Sequence, residues 1–184
     1  PDFYSPEFTA ALQEVAQLAT QGEVKDLANV RYWADGAGSI TPPGHWDQLA
    51  VQILQQEHSS LAKATEVLYV LNTTLFDTSI AVWEAKYHYN VIRPSQANPD
   101  IPTPVGLPNF PSYPSGHASF SAAAATVLGH YFPERHNKLW EMAASASDSR
   151  IYGGIHYRFD ATAGLELGRS LANWALESQL MHTP

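Results

Sequence analysis

Residues 59–89, SSLAKATEVLYVLNTTLFDTSIAVWEAKYHY, decide the fold. Leu61, Ala64, Leu68, Leu71, Leu75 and Val82 recur at helical spacing, and Trp83 and Lys86 lie one turn apart near the end. This spacing predicts the longest helix of the chain. Upstream, Ser5-Pro6 reads as an N-cap followed by proline at the first helical position, opening a helix through about Leu18. A second helix is expected from about Glu23 to Trp33. Asp35-Gly36-Ala37-Gly38 breaks the chain, and Thr41-Pro42-Pro43 opens a third helix through about Gln56.

Downstream, Asn98 to Pro114 holds Pro99, Pro102, Pro104, Pro108, Pro111 and Pro114, which predicts an extended loop. A helix from about Gly116 to Phe132 follows, made close-packing by Ala122 to Ala125 and stopped by Pro133. Helices from about Glu134 to Tyr152 and from about Arg158 to Met181 complete the pattern. Strand signals are scarce and no repeat or heptad array occurs. The expectation is an all-α fold, a helical bundle with a long proline-rich active-site loop, forming a single helical domain over 1–184.

Composition narrows the function. The chain has 184 residues, 45% of them hydrophobic, enough for one sizeable core. Its formal net charge of −8 argues against nucleic acid or an anionic membrane as partner. No apolar run is long enough to span a bilayer. No signal-peptide pattern opens the chain, and the lack of cysteine excludes disulfides and thiolate ligands without fixing a compartment, so a secreted or periplasmic location stays open. The first residue is Pro1 rather than methionine, which is what removal of an upstream segment produces.

In so acidic a chain three segments gather cations and histidines: Lys86 to Pro94 (KYHYNVIRP), Pro114 to His117 (PSGH) and Ser149 to Asp160 (SRIYGGIHYRFD). An oxyanion needs donors and positive charge. Arginine brings a planar fork, lysine a point charge, and a helix N-terminus free N–H groups. Ser115 and Gly116 open a helix, and Gly116 lets an anion approach the backbone. His156 and Asp160, four apart on an expected helix, share a face, so the carboxylate can hold one imidazole nitrogen and leave the other free. Each fragment alone reads more readily as solvated charges, a cap, or a local half-buried pair.

Together, in this order and spacing, the segments resemble the three-part signature of the superfamily that joins vanadium-dependent haloperoxidases to phosphatidic-acid-phosphatase-type acid phosphatases. The resemblance spans roughly Tyr32 to Asp160. It implies that Lys86, Arg93, Ser115, Gly116 and Arg150 bind the oxygens of vanadate or phosphate. It implies that His156 bonds to vanadium, or attacks phosphorus, that His117 is the acid–base residue, and that Asp160 orients His156. Asp35, in Tyr-Trp-Ala-Asp-Gly, resembles a family carboxylate that pairs with a site arginine.

Five-coordinate vanadate resembles the geometry of phosphoryl transfer, so one pocket suits both. Trp83 in AVWEAKYHY and Phe110 in FPSYPSGH resemble the haloperoxidase branch, whose members carry an aromatic or histidine beside the metal, although both also suit ordinary core positions. That branch implies hydrogen peroxide, and a halide or small organic substrate, as partners. There His117 takes a proton from peroxide, Lys86 polarises it, and hypohalous acid leaves. The alternative is an acid phosphatase hydrolysing phosphate monoesters through a phosphohistidine at His156. A third is an oxyanion-binding fragment without activity.

His45, His58, His130, His136 and His182 carry no partner pattern and read as surface or capping residues. His88 points away from Lys86 along its helix. Arg158 suits a peripheral salt bridge as well as an anion contact. The haloperoxidases resembled are longer and place a further helical region before the matched part. The chain therefore corresponds to their C-terminal catalytic part, and the expectation is association with a missing N-terminal segment or a homo-oligomer.

Overall fold

A computed structural model describes residues 1–180, and side chains through Ser178. The described residues hold helices and no strand. The helices are α1 (Pro6–Gln21), α2 (Val24–Tyr32), α3 (Thr41–Gln56), α4 (Leu61–Tyr89), α5 (Pro94–Ala97), α6 (Gly116–Tyr131), α7 (His136–Tyr152) and α8 (Arg158–Leu180). The all-α expectation holds. Residues 98–115 form no helix, as their prolines require.

Differences are local. A 3-10 turn, Pro133–Arg135, precedes α7, because the proline after α6 tightens the restart. The short helix α5 carries no apolar period and was not expected. The expected end at Met181, like His182, lies outside the described residues.

Caps explain the helix limits. The Ser5 hydroxyl accepts from the Phe8 N–H, and the Ser60 hydroxyl accepts from the Lys63 N–H. Asn90, left-handed at φ 49, ends α4. Burial sets the hierarchy. Helix α6 is buried nearly all round, from Ala118 through Ala125 and again at Val127, Leu128 and Gly129, as expected for a central helix. It packs most extensively on α8, then on α7 and α4. Trp46, Leu71, Leu128 and Phe132 share the main core, each side chain contributing about 1.5–3 kcal/mol relative to exposure.

Two glycines of α8 permit the closest packing. A Cβ on Gly164 would fall 2.6 Å from the Ser115 carbonyl oxygen, and one on Gly168 would collide with the Ser119 carbonyl. Helix α8 therefore lies directly on the first turns of α6. A second cluster, Phe8, Val15, Ile101, Ile151, Tyr157 and Ala161, fastens α1 and the proline-rich segment to α7 and α8. Gly154, at φ +71, passes under the Pro102 carbonyl with no room for a Cβ. This packing brings the end of α4, the start of α6, the end of α7 and the turn before α8 to one place.

Candidate oxyanion site

Lys86 sits in the last turn of α4, Arg93 three residues beyond Asn90, Ser115 at the N-cap of α6 and Arg150 in the last turn of α7. Lys86, Arg93, Arg150 and Asp160 are all at most 1% exposed. Three buried cations thus face one buried carboxylate. Burying such an excess of charge is costly without a counter-ion, so the arrangement asks for an anion.

His156 does not lie on α8; the helix begins at Arg158 because Gly153 and Gly154 end α7 in a turn. The pairing with Asp160 forms nonetheless, with His156 Nδ1 2.9 Å from Asp160 Oδ2. The same oxygen accepts from the Tyr157 N–H at 3.0 Å and from the Ser112 hydroxyl at 2.5 Å, while Oδ1 has no partner. Arg93 donates through Nη1 to His156 Nε2 at 3.0 Å. A guanidinium can only donate, so Nε2 carries the lone pair and Nδ1 the proton.

The arginines are anchored on one side and open on the other. Arg93 donates from Nε to the Phe110 carbonyl at 3.0 Å and from Nη1 to the Ile155 carbonyl at 2.7 Å, leaving Nη2 buried without a partner. Arg150 donates from Nε to the Ser149 hydroxyl and from Nη2 to the Val30 carbonyl, leaving Nη1 buried without a partner. His117 Nε2 is likewise buried and unpartnered. Each of these polar atoms is costly to leave unmade. Vanadate or phosphate, whose oxygens accept from the two guanidinium donors and whose hydroxyl can donate to His117 Nε2, fits this set.

Electrostatics agree. Burial, then the charges of Arg93 and Lys86, hold His156 well below the ordinary histidine value, so it is neutral and able to ligate. Burial and the charge of Arg150 do the same to His117, against the carbonyls of Trp33 and Ala34. Burial and the nearby Arg93 charge bring Lys86 down to about 7. Burial raises Asp160 to about 6, opposed by the Ser112 hydroxyl and the Tyr157 N–H. Burial lowers both Arg93 and Arg150 to about 10.

Several placements differ from expectation. Lys86 Nζ donates to the carbonyls of Pro111, Ser112 and Pro114 at 2.9, 2.8 and 2.6 Å, so its three hydrogens hold the loop. The Ser115 N–H is taken by the Asp160 carbonyl at 3.0 Å. Gly116 and His117 are in the first turn of α6, where N–H groups lack intrahelical partners. Asp35 pairs with His45, whose Nδ1 lies 3.0 and 3.2 Å from its two oxygens, and not with an arginine. Ten residues of turn and helix start separate them, and no periodicity announces the contact. His45 is therefore not a partnerless surface residue.

Trp83 and Phe110 do meet, with ring centroids 5.3 Å apart. Phe110 lies under both Lys86 and Arg93, at 5.3 and 5.2 Å, while Trp83 remains 38% exposed. Arg158 turns outward to Glu14 and Asp148. Ser112, which bonds Asp160, and Val30, which anchors Arg150 through a backbone carbonyl, were missed; a hydroxyl two residues from an aromatic and a main-chain oxygen leave no trace in a motif. No group of three or more His, Cys, Asp or Glu side chains placed to hold a metal cation occurs among the described residues. No helix among them is long and apolar enough to cross a membrane.

The chain is 31% identical over 105 residues to the vanadium-dependent bromoperoxidase of Ascophyllum nodosum, covering 41% of this chain and 19% of that protein. It is 39% identical over 57 residues to the non-specific acid phosphatase of Salmonella typhi, covering 31% of this chain and 23% of that one. The chain thus spans about a fifth of the length of these relatives. The solved structure of a bacterial vanadium-dependent iodoperoxidase superposes with a TM-score of 0.86 and 28% identity, covering 96% of this chain and 51% of that one. Residues 64–183 match the PAP2 superfamily model, and the chain belongs to the PAP2 superfamily.

Proposed function

We propose that the chain is the catalytic part of a vanadium-dependent haloperoxidase, oxidising halide with hydrogen peroxide to hypohalous acid. The observation that carries this reading is the His156 Nε2 lone pair, fixed by Asp160 and set beside open donors on Arg93 and Arg150, with the unpartnered Nε2 of His117 in the same site. The likeness to an iodoperoxidase over nearly the whole chain supports it. Residues 1–184 are read as one helical unit, the counterpart of the C-terminal part of the longer enzymes.

Vanadate, when bound, supplies a Lewis acid that activates peroxide toward halide without changing oxidation state. His156 holds it through Nε2. Arg93 Nη2, Arg150 Nη1 and the first-turn N–H groups at Gly116 and His117 bind its oxygens. His117 Nε2, neutral in its buried setting, takes a proton from incoming peroxide. Lys86 contributes charge and holds residues 111–114 in place. Phe110 and Trp83 form the apolar wall beside Arg93. The reading extends to hydrogen peroxide and a halide or small organic substrate as partners.

A second reading rests on the 39% identity to an acid phosphatase. The same tautomer makes His156 Nε2 a nucleophile toward phosphorus, with His117 protonating the leaving alcohol. The test is to assay vanadate-loaded protein with iodide or bromide and peroxide, and vanadate-free protein with an aryl phosphate. Vanadate-dependent halide oxidation, suppressed by phosphate, is the expected result. Turnover of the aryl phosphate with no halide oxidation would replace the first reading by the second.

A further inference from the structure

Ser112 is fully buried, and each of its polar groups has a partner at or beside the site. Its N–H donates to the Val91 carbonyl at 2.8 Å. Its carbonyl accepts from Lys86 Nζ at 2.8 Å. Its hydroxyl donates to Asp160 Oδ2 at 2.5 Å, because an ionised carboxylate can only accept. The same hydroxyl lies 3.5 Å from His156 Nδ1, longer than an ordinary N–H···O bond, so the imidazole proton goes to the carboxylate at 2.9 Å. The neighbours of Ser112 are tied to the cations through carbonyls, Phe110 to Arg93 and Pro111 and Pro114 to Lys86. Ser112 adds a side-chain bond to these, and it reaches the carboxylate instead.

Asp160 Oδ2 takes three donors. Two of them, His156 Nδ1 and the Tyr157 N–H, belong to the turn that leads into Asp160 itself. The third, Ser112, lies 48 residues earlier in the chain. The main chain of Asp160 is fixed separately, its carbonyl accepting from the Ser115 N–H, while Oδ1 has no partner. Ser112 is therefore the tether that fixes the carboxylate from outside its own turn. In the free protein the His156 ring is held at both nitrogens, by Asp160 at Nδ1 and by Arg93 at Nε2. An oxyanion bonded at Nε2 takes the second of these places. The orientation of the ring then depends on Asp160, and that of the carboxylate on Ser112. We infer that Ser112 is a positioning residue whose hydroxyl fixes Asp160 on His156 Nδ1, so that Nε2 keeps its aim when phosphate or vanadate displaces Arg93. This rests on the oxyanion reading of the site and adds to it a residue that acts through Asp160.

Ser112→Ala keeps the backbone bonds to Val91 and Lys86 and removes only the hydroxyl. Inorganic phosphate, titrated by calorimetry, should bind it about fivefold to tenfold more weakly than the unaltered protein. In an Asp160→Leu background the same substitution should cost no further affinity, because the residue it acts through is gone. A general disturbance of packing would add to the loss instead. Proton NMR of the protein without anion gives a separate readout. The His156 Nδ1 proton, far downfield while bonded to a fixed carboxylate, should move upfield in Ser112→Ala.

Equal phosphate affinity in Ser112→Ala, or an undiminished further loss in the Asp160→Leu background, overturns the inference. An unmoved resonance, or one shifted further downfield, overturns it too, since Ser112 would then compete for the carboxylate oxygen and not fix it. If the unaltered protein binds no phosphate while the proton does move upfield, the oxyanion reading fails and the hold of Ser112 on Asp160 stands.

Discussion

Arg93 Nη1 donates to His156 Nε2 across 3.0 Å, placing a guanidinium on the nitrogen that vanadium or phosphorus would take. Arg93 is also held by two backbone carbonyls, so only its Nη2 is free to move onto a ligand oxygen without breaking a bond. An incoming oxyanion must share or displace the Nη1 contact. Arg93→Lys cannot keep the carbonyl anchors and still present a fork. Charge-assisted hydrogen bonds of about 1.5–3 kcal/mol correspond to a phosphate affinity roughly 10–100-fold weaker in Arg93→Lys. Calorimetric titration checks this; equal affinities would remove Arg93 from the binding set.

Asp160 fixes the proton of His156 on Nδ1. Asp160→Leu removes the accepting oxygen at similar volume and leaves the Nδ1 proton without a partner. Loss of roughly 10–100-fold in turnover or vanadate affinity is expected. Nitrogen-15 NMR of the imidazole should report a single Nδ1-protonated form in the unaltered protein and a mixture of tautomers in the variant. The same tautomer in both would show that Asp160 does not set it.

Lys86 supplies a pH signature. Burial brings it down to about 7 from 10.5. Between those values the ammonium of the free protein has lost a proton that an adjacent anion would restore. At pH 8 a group with a value near 7 is about nine-tenths neutral, with one of its three carbonyl bonds unmade, so phosphate binding should take up protons there and restore it. Near pH 5.5 Lys86 is already charged and its share of the uptake vanishes. Phosphate affinity should accordingly fall as pH rises from 6 to 9. Calorimetry in buffers of different ionisation enthalpy measures the uptake, and Lys86→Met should reduce it. Proton release at pH 8 would contradict the assignment.

The contact of α6 with α8 is the structural support of the site. Gly168→Ala places a methyl against the Ser119 carbonyl and forces the helices apart. Overpacking of this kind costs about 1–3 kcal/mol. Each kcal/mol lowers the melting temperature by about 2–4 °C in a protein of this size. Thermal unfolding followed by circular dichroism tests it, and an unchanged melting temperature would show that α8 can shift without strain.

The long helices were legible because their apolar positions repeat and their caps are local. Ser5-Pro6 and Pro133 mark limits that the structure keeps, and the long helix expected over 59–89 runs from Leu61 to Tyr89. The placement of Lys86, Arg93, Ser115, Arg150 and His156 together followed from motif order, which records what must converge but not the bonds made there. What escaped depended on main-chain oxygens and tertiary packing. Nothing in KYHYNVIRP announces that Lys86 would spend its hydrogens on the carbonyls of Pro111, Ser112 and Pro114. The His45–Asp35 pair forms across a turn with three left-handed residues, Asp35, Gly38 and Thr41, of which only one is glycine. Arg158 resolved into an ion pair with Glu14 because α1, unplaced by any motif, packs against α7 and α8.

A crystal soaked in orthovanadate shows whether an oxyanion bonds at His156. Vanadium bonded to His156 Nε2, with its oxygens on Arg93 Nη2 and Arg150 Nη1, is the expected result. Vanadate bound elsewhere on the protein, or excluded from this site at saturating concentration, would contradict it.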